Sequence, residues 1–142
     1  MSVTGSCLCG AVTVTAARLP AEMSACHCDM CRKWSGSVGI GLDVAEADLT
    51  VEGEVKIYAS SSFAERAFCP VCGSSLWLRD TKGENLGTYE LCPGLFENAG
   101  SARLSREVYA DRCPEGYAFA GDHPRITRAE YEARSPSVES RS

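Results

Sequence analysis

The chain has 142 residues, of which 44% are hydrophobic and 23% charged, and a formal net charge of -5. That balance excludes global disorder and gives no general attraction to a phosphate backbone, so nucleic acid is not an expected partner. The chain has no apolar run of about 18 residues, which excludes a membrane-spanning helix. Met1 to Ser6 lacks the apolar core of a signal peptide, and a reducing cytoplasm is the expected location. The length suits one domain over residues 1–134, with a disordered polar tail over 135–142.

In chain order, Cys7-Leu8-Cys9-Gly10 reads as a tight turn. It leads into Ala11 to Ala16, whose alternation and β-branching predict a strand. Cys26 to Lys33 reads as a cysteine-rich loop or a single helical turn. Strands are predicted over Ser37 to Leu42 and Val55 to Tyr58, with a turn at Glu52-Gly53 between them. Phe63 to Phe68 and Ser75 to Arg79 predict a hairpin whose tip carries Cys69 and Cys72. Gly87 to Leu91 and Arg106 to Ala110 are further strands. Leu95 to Gly100 and Ala129 to Arg134 read as short helical turns. Few helices and many short strands predict a mainly β fold and argue against a parallel α/β sheet.

Nine cysteines are many for a chain expected in a reducing compartment, and an odd count cannot pair completely. Cys69-Pro70-Val71-Cys72-Gly73 is a zinc knuckle by its spacing, and a single pair supplies half a tetrahedral site. Cys7 and Cys9 are its complement, giving four thiolates and a closed, structural shell. A redox pair at Cys69 and Cys72 is the competing reading. It expects a helix start in a βαβ unit, for which the sequence gives no sign. Buried unliganded thiols are a further alternative, but two close pairs flanked by glycines are poorly explained by packing.

Cys26, Cys28 and Cys31 form a second cluster. Three ligands leave one coordination position open, the pattern of a reactive zinc site. The alternatives are a single site shared with the outer cysteines, or a partly free thiol cluster open to oxidation. His27, between two ligands, is read as a surface histidine rather than a fourth ligand or proton shuttle. Asp29 is read as a solvated loop residue, His123 is given no role, and Cys92 and Cys113 are read as ordinary core or loop cysteines.

Taken together, Gly5-Ser6-Cys7-Leu8-Cys9-Gly10-Ala11-Val12, Cys26-His27-Cys28-Asp29-Met30-Cys31-Arg32-Lys33 and Phe68-Cys69-Pro70-Val71-Cys72-Gly73-Ser74 resemble the glutathione-dependent formaldehyde-activating enzyme family, which includes centromere-protein-V-like members. The resemblance covers roughly Gly5 to Ile126. It implies an Mss4-like (β-tent) fold of short antiparallel strands. It also implies two zinc ions per chain, one structural on Cys7, Cys9, Cys69 and Cys72 and one catalytic or labile on Cys26, Cys28 and Cys31. The implied activity is that of a carbon–sulfur lyase acting on a thiol adduct of a small aldehyde, with glutathione or its adduct as partner. A non-enzymatic zinc-binding interaction module and a thiol redox sensor are the alternative functions.

Overall fold

The computed structural model describes residues 2–134, so the predicted tail lies outside the described residues. The strands are β1 (Val3–Ser6), β2 (Thr13–Ala16), β3 (Glu22–Cys26), β4 (Gly39–Ala45), β5 (Leu49–Glu52), β6 (Lys56–Ala59), β7 (Ala64–Phe68), β8 (Ser75–Asp80), β9 (Thr88–Leu91), β10 (Arg103–Val108) and β11 (Arg125–Ile126). Two short helices accompany them, α1 (Asp29–Ser35) and α2 (Arg128–Arg134). The mainly β expectation therefore holds. No helix among the described residues is long and apolar enough to cross a membrane.

The strands form two sheets. One has the order β1-β2-β5 and the other β11-β10-β3-β4-β9-β8-β7-β6. Neighbours pair antiparallel except at one end, where β10 runs parallel to both β3 and β11. A strand that returns after a long excursion of chain is not bound by hairpin geometry, and β10 lies about eighty positions after β3. The sheets share one core, in which Val12, Val14, Leu42, Leu76, Leu91 and Phe96 pack together with Cys7 and Cys69. A second, smaller cluster gathers Cys28, Cys31, Val108, Tyr109 and Ile126. Each cysteine group thus has sulfur-bearing residues in a different apolar cluster.

The structure departs from the sequence reading at definable places. β1 and β3 escape it because each is short and dilutes its apolar residues with Gly, Ser, Thr or Glu. Leu95 to Gly100 is not a right-handed helical turn. Asn98, Ala99, Gly100 and Ser101 all have positive φ, so the chain makes a left-handed turn there. The late strand stops at Val108 because Tyr109 turns left-handed at φ 54°, and its fully buried ring is held by a hydroxyl that donates to Glu132 Oε2 at 2.8 Å. The predicted hairpin is present as β7 and β8, with an irregularity in register between Ala67 and Phe68 just before its cysteine-bearing tip.

Leu91 has no exposed surface and lies in the shared core, so truncating it leaves a cavity between the sheets. Leu91→Ala is expected to lower unfolding free energy by about 3 kcal/mol with an unchanged denaturant slope, measured by urea titration.

Candidate metal centre

The first group forms where two loops meet. Cys7 and Cys9 follow β1, and Cys69 and Cys72 sit at the tip joining β7 to β8. The loops belong to different sheets, so a metal held by this group would fasten one sheet to the other. Its four sulfurs lie within 4.8 Å of one another, with Cys7 to Cys9 at 3.7 Å and Cys9 to Cys69 at 3.8 Å. A tetrahedral zinc with bonds of about 2.3 Å separates its sulfurs by about 3.8 Å, so the spacing and the donor chemistry both fit zinc.

The local backbone is shaped to hold sulfur charge. The Val12 amide donates to Cys7 Sγ at 3.3 Å, and the Val71 and Cys72 amides donate to Cys69 Sγ at 3.4 and 3.5 Å. Gly10 and Gly73 close the two turns at φ 82° and 78°, a conformation that side chains resist. Burial raises the Cys7 thiol, but the Val12 amide and the neighbouring sulfurs of Cys9 and Cys69 bring it below its ordinary value. The Ser74 hydroxyl and amide, then the Cys9 amide, lower Cys72 to about 5. Cys9 is helped by the Ala11 amide, yet burial and the three other sulfurs push it to about 11. One sulfur ionises at the expense of the next, and a divalent cation removes that conflict.

Cys26, Cys28 and Cys31 form the second group, also within 4.8 Å of one another. Cys26 ends β3, Cys28 caps α1, and Cys31 lies in the helix. Cys28 Sγ accepts the Cys31 amide at 3.4 Å, so one sulfur serves as ligand candidate and helix cap together. Asp29 favours the positive first turn, while Gly36 at φ 92° ends the helix and donates to the Arg32 carbonyl at 2.9 Å. β4 passes so near that a Cβ at Gly39 would lie 2.9 Å from Cys31 Cβ, and glycine permits the approach. The Cys28 and Cys31 sulfurs, then burial, raise Cys26 well above its ordinary value. Cys26 favours the ionised form of Cys31, but Cys28 and burial outweigh it and raise that thiol too. Buried thiols this close cannot all ionise without a cation among them, which again fits a metal.

His27 is not on the surface. It is fully buried against β10, where its backbone N–H donates to the Val108 carbonyl at 3.1 Å. Its Nε2 meets Glu107 Oε1 at 2.7 Å. Glu107 Oε2 in turn meets His123 Nε2 at 2.5 Å and Arg125 Nε at 3.2 Å, so His123 has a structural partner that the sequence did not reveal. Burial works against the Glu107 carboxylate, but the bonds from His123 and His27 hold it below its usual range. Asp29 is likewise more than solvated, since it pairs with Arg32 and with Arg112, the latter at 2.9 Å. Cys113 is a loop thiol, as read. Cys92 is half-buried, in the wall of a cavity of about 520 Å³.

That cavity separates the two groups chemically. Cys26 and Cys31 line it with Trp34, Arg66 and Cys92, whereas Cys7, Cys9, Cys69 and Cys72 do not. Arg66 and Trp34 are the residues that reading the sequence left unassigned. Trp34 stands three positions after Cys31 on one helix face, and Arg66 falls in phase with Ala64 and Phe68 along its strand. Those two spacings were the available signals.

Residues 2–112 match the family model described as glutathione-dependent formaldehyde-activating enzyme. The chain belongs to this family. Among its similar proteins, an uncharacterized lyase of Schizosaccharomyces pombe is 37% identical over 117 residues, covering 82% of this chain and 84% of that protein. A Halomonas elongata protein that carries the family's name is 34% identical over 96 residues, 61% of each chain. The crystal structure of a Rhodobacter sphaeroides protein aligns with a TM-score of 0.56 at 25% identity, covering 71% of this chain and 98% of that one.

Removing Glu107 from this member of the family leaves His27 buried without its acid partner. Glu107→Ala is expected to cost about 3 kcal/mol of stability, read by denaturant titration of both proteins in the same zinc-containing buffer.

Proposed function

We propose that the chain is a zinc-dependent carbon–sulfur lyase that joins a thiol to a small aldehyde and separates them again. Glutathione and formaldehyde are the pair named by its family. The observation that carries this reading is that only one of the two cysteine groups borders the cavity, through Cys26 and Cys31. The three-thiol group opens on a cavity large enough for a small adduct, and the four-thiol group does not line it.

In this account Cys7, Cys9, Cys69 and Cys72 hold a structural zinc, and Cys26, Cys28 and Cys31 hold a catalytic one. Zinc there supplies Lewis acidity and favours ionised sulfur, with no redox change of its own. The chain supplies the setting. The cap at Cys28 and the close approach of Gly39 to Cys31 fix the ligand sulfurs in place. His27, tied to Glu107 behind them, keeps the Cys26–Cys28 segment from turning over. Three thiolates and a divalent ion leave one negative charge, and Arg66 offsets it, with Nη2 3.7 Å from Cys31 Sγ. The Trp34 ring forms an apolar part of the cavity wall beside the thiols, against which a hydroxymethyl-type adduct can pack.

The four-thiol group should be needed for folding and the three-thiol group for turnover. Cys28→Ser is expected to keep the fold by circular dichroism, lose about one zinc of two, and lose at least about a hundredfold in the rate of adduct formation from glutathione and formaldehyde, followed by NMR. An unchanged rate in a folded Cys28→Ser protein contradicts the mechanism.

A further inference from the structure

Arg66 does more than balance charge. Its side chain lines the cavity beside the three thiols, yet the residue is only 5% exposed. A guanidinium carries five N–H donors. The side-chain acceptor that Arg66 meets is Cys31 Sγ, through Nη2. Nε is enclosed without any hydrogen-bond partner. The guanidinium lies over the Trp34 ring, 5.9 Å from its centre, a cation–π contact on the cavity wall. A cation held largely out of water with a donor unspent is costly unless something arrives to accept from it.

We propose that Arg66 receives the oxygen of the aldehyde adduct, two bonds from the thiol sulfur, and so is a catalytic residue. The inference rests on the lyase reading above. As the adduct forms, the thiol sulfur makes a bond to the carbonyl carbon and the carbonyl π pair moves onto oxygen. The thiol's proton passes to solvent water, and that oxygen takes up a proton from solvent, so none is gained or lost overall. The reverse reaction returns the pair from oxygen to the carbonyl and breaks the carbon–sulfur bond. In either direction negative charge gathers on one oxygen, and a preorganised N–H donor beside it lowers the barrier. The contact with Cys31 Sγ decides which oxygen this is. A guanidinium that touches that sulfur reaches an oxygen close to the reacting thiol, whereas carboxylates of a longer thiol ligand stand several bonds away.

The test compares S-acetylglutathione, whose carbonyl oxygen lies two bonds from sulfur, with S-ethylglutathione, which lacks it. Binding of each to the zinc-loaded protein is measured by calorimetry, with zinc content measured in parallel. The wild type is expected to prefer the acetyl compound by about tenfold. Arg66→Gln is expected to abolish that preference, read as the ratio of the two affinities, whatever it does to both in common. Arg66→Lys, which keeps the charge without the fork, should retain part of the preference, and it serves as the test if the glutamine variant loses zinc. A preference that survives in both variants, or one absent from the wild type, overturns the role of Arg66 and leaves the lyase reading standing. If neither compound binds the wild type, the thiol-adduct reading itself fails, and this proposal fails with it.

Discussion

Mutual repulsion among crowded sulfurs is the constraint around which this protein is organised. Seven thiols converge in two groups, each within 4.8 Å, and their ionisation is set one against another. A fold that places thiols this way without a cation would sacrifice stability. With one, the same crowding becomes a source of strength, because the metal binds the folded arrangement and not the open chain. The four-thiol group shows the benefit most directly. Its thiols come from loops of different sheets, and Cys7 and Cys69 belong to the core that both sheets share.

The three-thiol group meets the same constraint in a different setting. Its thiols come from one short stretch, so it cannot tie distant elements together. Its geometry depends on neighbours: the cap at Cys28, Gly39 on β4, and the buried His27 and Glu107 behind it, with His123 beyond them. A site held from behind can remain open in front, and the open side is the cavity that Arg66 and Trp34 line. The parallel seat of β10 beside β3 is what brings Glu107 to His27, since Glu107 is in register with Ala25.

Much of this was legible in the sequence, for reasons specific to particular residues. Cysteine spacing is a local signal tied to metal chemistry, and both groups assemble from the residues that the spacing marked. The hairpin at Cys69 and Cys72 was also readable, because alternating strands flank a knuckle closed by Gly73. His27 was misread because its burial depends on β10, eighty positions later in the chain, and a lone histidine carries no record of its partner. The left-handed turn from Asn98 to Ser101 was hidden for a similar reason, since tertiary packing imposes φ values that Ala99 and Ser101 do not favour alone. Arg66 had a faint signal, a charge in phase with apolar residues, which becomes meaningful once the strand is seen beside Cys31.

The central claim is that one chain carries two distinct metal sites, one closed and one open to a cavity. Anomalous diffraction from crystals of the native protein, collected on either side of the zinc edge, tests it most directly. Two zinc peaks per chain are expected, one among Cys7, Cys9, Cys69 and Cys72 and the other among Cys26, Cys28 and Cys31 on the cavity side. A single peak at the four-thiol group, with the other three sulfurs free or joined in a disulfide, would contradict the account.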